Sequence, residues 1–145
     1  MEIKAVWKTG YVGKGNAQLC AEEIMSIGED VSAEQIVEFA RNPESELHKS
    51  FTWDNDVAAE KWRVHEARQI ICNLVIKKVD GEKQKSEPIR LFHKIEGGHY
   101  KPISLIIQNE DEYQSLLRQC REALQTLKRK YSSLSEYQEI WDLIN

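Results

Sequence analysis

Hydrophobic positions in the first half of the chain follow a helical period after one short strand. Residues 2–8 alternate loosely and predict a strand, which a glycine-containing loop over residues 9–15 follows. Apolar residues at three- and four-residue spacing then predict helices over about 17–27, 33–41 and 57–72. The predicted buried stripes of the first and third helices contain Ala17, Cys20, Ala21, Ile24 and Ile27, and then Val57, Val64, Ala67, Ile71 and Leu74. Val31 and Ile36 are expected to form a hydrophobic staple across the start of the second helix.

Each of these helices has a start signal in the sequence. Asn16 is placed to cap the first helix, and Gly28 is placed to end it. Ser32 and Gln35 have the spacing of a capping box, and Asn42-Pro43 is placed to stop the second helix. Asp54 is the preferred cap of the third helix and Thr52 the weaker one, with Trp53 packing on Ala58 as a staple.

The pattern changes to alternation after the third helix. Strands are predicted over about 72–79, 89–95 and 100–107, which form an antiparallel meander. Gly97-Gly98 is a two-residue hairpin signal. With that turn, Glu96 would face His99 and Pro102 would face His93, so the two imidazoles would not be paired.

Two helices are predicted after the meander. Asn109 caps the first, which has acidic residues in its first turn and basic residues in its last turn. Ser133 and Glu136 form a capping box for the second, which carries Tyr137, Ile140, Trp141 and Ile144 on one face. The fold class is therefore α+β: N-terminal helices, a three-stranded antiparallel meander and two C-terminal helices covering one of its faces. Residues 1–145 are expected to form a single domain, helical to about residue 72, with the sheet and C-terminal helices over about 73–145.

An aromatic turn leads into the third helix. The pattern is Leu47-His48-x-x-Phe51-x-Trp53-Asp54, then Ala58-Ala59, Arg63 and Ala67-Arg68. It resembles the signature of a family of small proteins encoded by temperate bacteriophages and prophages, a family without a settled activity. The resemblance implies a phage or prophage origin and carries over no functional residue.

The aromatic turn has two interpretations. In the first it is a structural plug, in which Trp53 closes a core and Arg63 is a surface cation paired with Glu60 and Glu66. In the second it is a ligand or partner site. The candidate residues of this motif are His48, Phe51, Trp53, Asp54 and Arg63.

Charge divides the chain unevenly. The net charge of −4 combines −7 over residues 1–60, +5 over residues 61–105 and −2 over residues 106–145. The basic residues on the predicted meander and its turns are Lys77, Lys78, Lys83, Lys85, Arg90, Lys94 and Lys101. With Phe92 and Tyr100 exposed beside them, they would suit single-stranded nucleic acid, whereas lysines on strand edges also simply oppose aggregation.

Duplex DNA is a poor fit to the first two helices. They have the length and short connection of a helix-turn-helix, but residues 22–41 contain six acidic residues and one basic residue. The loop at Gly10–Gly15 precedes a helix, yet its spacing is wrong for a phosphate-binding motif, and a flexible connection is the expectation.

Neither metal binding nor catalysis has a sequence signal. His48, His65, His93 and His99 lack ligand spacing, and no nucleophile or carboxylate pair has a catalytic context. No cofactor is expected. We expect reduced, buried thiols at Cys20, Cys72 and Cys120. The sequence has neither a signal-peptide core nor a span of about 20 apolar residues. We therefore expect a bacterial cytoplasmic protein with no membrane partner.

The first C-terminal helix carries apolar residues at four- and three-residue intervals, as in a coiled coil. They are Tyr113, Leu117, Cys120, Leu124, Leu127 and Tyr131. This seam can pack on the meander, or it can form a homodimer in which Leu117, Leu124, Leu127 and Trp141 take part. The sequence thus favours a non-enzymatic phage protein that binds a phage or host protein, with nucleic-acid binding through Lys77, Lys83, Lys85, Arg90 and Lys94 as the alternative.

Overall fold

The computed structural model describes residues 3–53, 57–77 and 88–145, without the side chains of residues 57 and 58. The chain forms two compact units, Met1–Leu105 and Ile106–Asn145. Helices and antiparallel strands are combined in one chain, so the predicted α+β class is confirmed. Among the described residues, no helix is long and apolar enough to cross a membrane.

The first unit begins with β1 (Lys4–Trp7), α1 (Ala17–Ile27) and α2 (Ala33–Ala40), followed by a 3₁₀ turn (Glu46–Ser50) and α3 (Val57–Cys72). The side chain of Asn16 accepts the Leu19 N–H, and Ser32 and Gln35 form both bonds of the capping box. These caps confirm the predicted helix starts. The predicted cap at Asp54 lies outside the described residues, and so does the staple between Trp53 and the Ala58 side chain.

The strands pair differently from the predicted meander. β2 (Leu74–Lys77) is the central strand, with β1 on one side and β3 (Ile89–Arg90) on the other, all antiparallel. β4 (Phe92–Lys94) and β5 (Tyr100–Pro102) form a separate pair. The predicted third strand ends at Pro102, because residues Ile103–Ile107 form the short helix α4. β1 therefore supplies the third strand of the sheet, and it pairs with β2 rather than with residues 89–90.

The hairpin between β4 and β5 also departs from the prediction. Its connection is the 3₁₀ turn Glu96–Gly98, with φ of +88° at Gly97 and +83° at Gly98. His93 consequently pairs with Lys101, and Phe92 pairs with Pro102. The longer turn shifts the predicted pairing by one residue, and such a shift changes which side chains share a face.

One core joins the helices and strands of the first unit. Ala67, Ile71 and Leu74 are buried in it as predicted, together with Ile70, and Val64 is partly buried. The connection between α1 and α2 is bound to β5, since Val31 and Tyr100 exchange two backbone hydrogen bonds of 2.8 and 2.6 Å. The residues on both sides of residue 72 therefore belong to a single packed unit.

The second unit contains α5 (Glu110–Tyr131), a 3₁₀ turn (Ser135–Tyr137) and α6 (Gln138–Leu143). Asn109 caps α5 as predicted, by accepting the Glu112 N–H. α6 returns alongside α5, where Lys128 Nζ donates to the Ile144 carbonyl at 2.7 Å. The predicted Ser133 capping box is wrong, because the chain turns tightly after α5 and the 3₁₀ turn starts without a side-chain cap.

Candidate functional site

A carboxylate of α1 fixes the start of the aromatic turn. Glu23 Oε1 accepts from Ser45 Oγ at 2.5 Å and from the Leu47 N–H at 3.1 Å, and Oε2 accepts from the Glu46 N–H at 2.8 Å. These backbone groups belong to the first turn of the 3₁₀ segment, whose donors have no partner within the segment itself. No local pattern in the sequence indicates this contact, because Glu23 and Ser45 are 22 residues apart.

Aromatic stacking holds Trp53 in place. The imidazole of His48 lies parallel to the indole, with ring centroids 4.7 Å apart and an interplanar angle of 9°. Trp53 Nε1 donates to the His48 carbonyl at 2.9 Å, and His48 Nδ1 lies 2.8 Å from the Ala40 carbonyl oxygen. Phe51 packs against the same indole at 5.5 Å. The aromatic turn is thereby attached to the end of α2.

Two arginines lie over Trp53 and share one carboxylate. The guanidinium carbons of Arg63 and Arg41 lie 5.4 and 5.9 Å from the ring centroid. Glu60 accepts from Arg63 at 2.8 Å and from Arg41 at 2.7 Å. The Arg63 and Arg41 guanidiniums hold the pKa of the Glu60 carboxyl below its usual value, and the bonds to Glu60 and then Glu38 raise the pKa of Arg41.

Arg63 is not the surface cation that its spacing predicted. It is only 5% exposed, and its Nη1 donates to the Thr52 carbonyl at 3.1 Å. Glu66, the other expected partner, instead accepts from the Thr52 N–H at 3.2 Å. Burial of the guanidinium follows from its position between α3 and the aromatic turn. Arg41 was missed because only the packing of α2 on α3 brings it to Glu60.

The geometry favours the structural interpretation of the motif. His48, Phe51, Trp53 and Arg63 are brought together, whereas Asp54 lies outside the described residues. The donors of Trp53 and Arg63 bond to carbonyl and carboxylate oxygens of the same chain. A group that already has its hydrogen bonds gains little by exchanging them for a ligand.

The glycine loop is organised by Trp7. A Cβ at Gly13 would lie 2.4 Å from the Trp7 ring, so this position has no space for a side chain. Trp7 Nε1 donates to the Gly15 carbonyl at 3.1 Å, and Ser50 Oγ donates to the Lys14 carbonyl at 2.7 Å. Residues 13–15 of the loop are thereby held by Trp7 and Ser50, and the flexible connection stays a prediction.

A carboxylate occupies the start of α1, where the nucleotide interpretation would put a phosphate. Glu46 Oε1 accepts the Asn16 N–H at 2.8 Å, and Lys49 Nζ lies 3.0 Å from Oε2. The Asn16 N–H, and then Lys49, hold the pKa of the Glu46 carboxyl below its usual value. An anionic ligand at this helix end would be repelled by Glu46.

The residues proposed to bind single-stranded nucleic acid are only partly exposed. Phe92 and Tyr100 are buried, so the expected aromatic platform is wrong, since the shifted hairpin register turns both rings to the core. Lys77 and Lys94 are exposed, whereas Lys101 is buried and Arg90 Nη2 donates to Cys72 Sγ at 2.7 Å. Lys78, Lys83 and Lys85 lie outside the described residues.

The cysteines and histidines are in varied surroundings. Burial raises the pKa of the Cys20 thiol to about 12, whereas Cys120 is exposed, contrary to the prediction, because α5 buries none of its residues. His99 Nδ1 lies 2.7 Å from Asp30 Oδ1, and burial lowers the pKa of His93. Within the described ranges, no group of three or more His, Cys, Asp or Glu side chains is arranged to hold a metal ion.

The second unit carries an apolar seam that is open to solvent. Each apolar member of the seam is between 37 and 45% exposed, and Cys120 is exposed as well. These members are Tyr113, Leu117, Leu124, Leu127 and Tyr131. Trp141, expected to join the self-association surface, is instead 5% exposed, because it packs inside the turn and donates to the Leu134 carbonyl at 3.1 Å.

α6 adds further apolar surface to the same unit. Ile140 and Leu143 of α6 are 50 and 82% exposed, and Tyr137 of the preceding 3₁₀ turn is 53% exposed. Two carbonyls at the end of the chain accept from Gln125 and Lys128, so α6 is bonded to the C-terminal half of α5. Clustered apolar side chains of this kind mark an interaction surface more often than scattered ones do.

Comparison with known protein families, curated proteins and solved structures finds nothing that matches this chain.

Proposed function

We propose that this chain is a non-enzymatic, phage- or prophage-encoded protein that acts in the bacterial cytoplasm by binding a protein partner. Its binding surface is the seam of α5, together with the exposed apolar residues of α6. The observation that carries this proposal is the row of solvent-exposed side chains at positions 113, 117, 120, 124, 127 and 131. Apolar side chains spaced three and four residues apart along a helix are what a partner helix recognises in a helix-in-groove or coiled-coil contact.

The first unit supports this choice by contrast. Its aromatic motif makes its hydrogen bonds internally, and its glycine loop is filled by Trp7 and Glu46. The seam has apolar surface without such internal partners, and covering it would release water from several large side chains. Protein binding therefore requires no rearrangement of the first unit.

The test is an affinity capture from lysogenic or phage-infected bacteria, with and without nuclease. We expect a specific protein that survives nuclease and is lost when Leu124→Glu is used as bait. Thr126→Glu is the matched control, because Thr126 is also exposed on α5 but lies off the seam. The captured protein is then purified, and its binding to the three baits is measured by calorimetry.

Two results would contradict the proposal. If the Leu124→Glu bait binds the purified partner as tightly as wild type, the seam is not the surface. If capture depends on nucleic acid and is lost when Lys83, Lys85 and Arg90 are reversed to glutamate, the alternative of a nucleic-acid-binding accessory protein is correct.

A further inference from the structure

The seam of α5 has an internal symmetry that a single chain does not need. Its members are arranged about residue 122, with tyrosines outermost at 113 and 131, leucines next at 117 and 127, and Cys120 and Leu124 at the centre. If a second α5 runs in the opposite direction with its midpoint at the same place, the tyrosines and the outer leucines meet residues of their own kind, and Leu124 meets the smaller Cys120. Tyr113 then faces Tyr131, and Leu117 faces Leu127.

The heptad positions agree with an antiparallel pair. Counting from Leu117 and Leu124 as a positions makes Cys120 and Leu127 d positions. Reflection about residue 122 exchanges every a position with a d position, so each layer of the pair contains one of each. The 22 residues of α5 are about 33 Å long, enough for six such layers.

The charged ends of α5 also favour an antiparallel pair. The first turn of α5 contains Glu110, Asp111 and Glu112, and its last turn contains Lys128, Arg129 and Lys130. Antiparallel pairing brings the acidic end of one helix to within about one turn of the basic end of the other, and it also opposes the two helix dipoles. Parallel pairing would place like charges together at both ends. Arg121 of each copy flanks the midpoint, but this side chain is exposed and water screens the repulsion.

The position of α6 fits this arrangement as well. Within its unit, α6 is bonded to the C-terminal half of α5 through Gln125 and Lys128. An antiparallel partner brings its own C-terminal half, with its α6, beside the N-terminal half of the first helix. The exposed apolar residues of each α6 thereby approach the Tyr113 and Leu117 end of the other copy.

We propose that the occupant of the seam is a second copy of this chain, paired antiparallel through α5 about a two-fold axis at Glu122. This inference rests on the proposed function, since it names the partner of the same surface. The arrangement is isologous, because each copy presents the same residues to the other.

Sedimentation velocity of the full chain at micromolar concentration tests the pairing itself. Wild type and Thr126→Glu should sediment as dimers. Leu124→Glu should raise the dissociation constant on the order of 100-fold or more, because each dimer would bury two carboxylates against the partner's Cys120. Circular dichroism should show unchanged helix content, since Leu124 is exposed in the single chain.

Cysteine cross-linking tests the direction. In an antiparallel pair position 124 faces the partner's Cys120, so Leu124→Cys should form an interchain disulfide quickly under mild oxidation. The double variant Leu124→Cys with Cys120→Ser should not, because the two introduced thiols are offset by about 6 Å along the axis. Rapid cross-linking of that double variant, or of wild type through Cys120 alone, would show a parallel pair and overturn the inference.

A strictly monomeric wild type would overturn it too, without deciding the proposed function. In that case the affinity capture remains informative: a heterologous protein lost with the Leu124→Glu bait would support the seam as a binding surface for another partner. A dimer that persists in Leu124→Glu would instead place the self-association elsewhere on the chain.

Discussion

At the residue scale, Trp53 and its neighbours show how a sequence motif becomes a structural element. His48 stacks on one side of the indole plane, and the guanidiniums of Arg63 and Arg41 lie over the same ring. Cations over a tryptophan face are stabilised by its quadrupole, and more so where water is excluded. The shared carboxylate of Glu60 then fixes both arginines.

Removing the indole should destabilise the protein. We expect Trp53→Ala to lower the free energy of unfolding by about 3 kcal/mol, the lower end for such a truncation, because the ring is partly buried. Trp62→Ala is the matched control, since Trp62 is 55% exposed on α3 and should cost less than about 1 kcal/mol. Urea denaturation and thermal melting, each followed by circular dichroism, measure both variants. A Trp53→Ala melting temperature within about 2 °C of wild type would contradict the structural interpretation and favour the binding-site interpretation of the motif.

At the element scale, short segments depend on contacts with distant elements. The 3₁₀ turn Glu46–Ser50 has no side-chain cap of its own, and Glu23 of α1 accepts its first donors instead. The turn in exchange supplies Glu46 to the start of α1 through the Asn16 N–H. Two carboxylates therefore connect α1 and the aromatic turn reciprocally.

Loss of the Glu23 carboxylate should lower the free energy of unfolding more than loss of an ordinary surface carboxylate on a helix. We expect Glu23→Ala to lower the free energy of unfolding by about 2–3 kcal/mol, because three donors lose a charged acceptor. Glu22→Ala, one residue away, removes a single 3.2 Å bond from Gln18 and should cost less than about 0.5 kcal/mol. Equal midpoints for the two variants in urea would show that water replaces Glu23 at no cost.

At the scale of the whole molecule, charge and apolar surface are separated along the chain. Residues 1–60 carry a net charge of −7 and include both helices of the helix-turn-helix candidate. Their connection is bonded to β5 through Val31 and Tyr100, and Asp30 is paired with His99. The helices are thus the acidic part of a packed unit, whereas the exposed seam belongs to Ile106–Asn145.

This distribution predicts weak binding to duplex DNA. Binding is driven by cations that release counterions from phosphates, and residues 22–41 have only Arg41, which Glu38 and Glu60 already pair. A gel shift with random duplex at low salt should show no complex below micromolar concentration. A sub-micromolar complex that weakens steeply with added salt would refute the prediction.

The sequence by itself determined the local features of this protein. Helix starts at Asn16, Ser32 and Asn109 were predictable, because a cap depends on residues within one turn, and the α+β class followed from the change of period. Tertiary structure decided the rest. The strand order, the one-residue hairpin shift, the burial of Arg63 and the joining of Arg41 to Glu60 all depend on contacts between residues far apart in sequence. Which of these contacts form depends on which packed arrangement of the whole chain is most stable, so a local pattern of residues does not predict them.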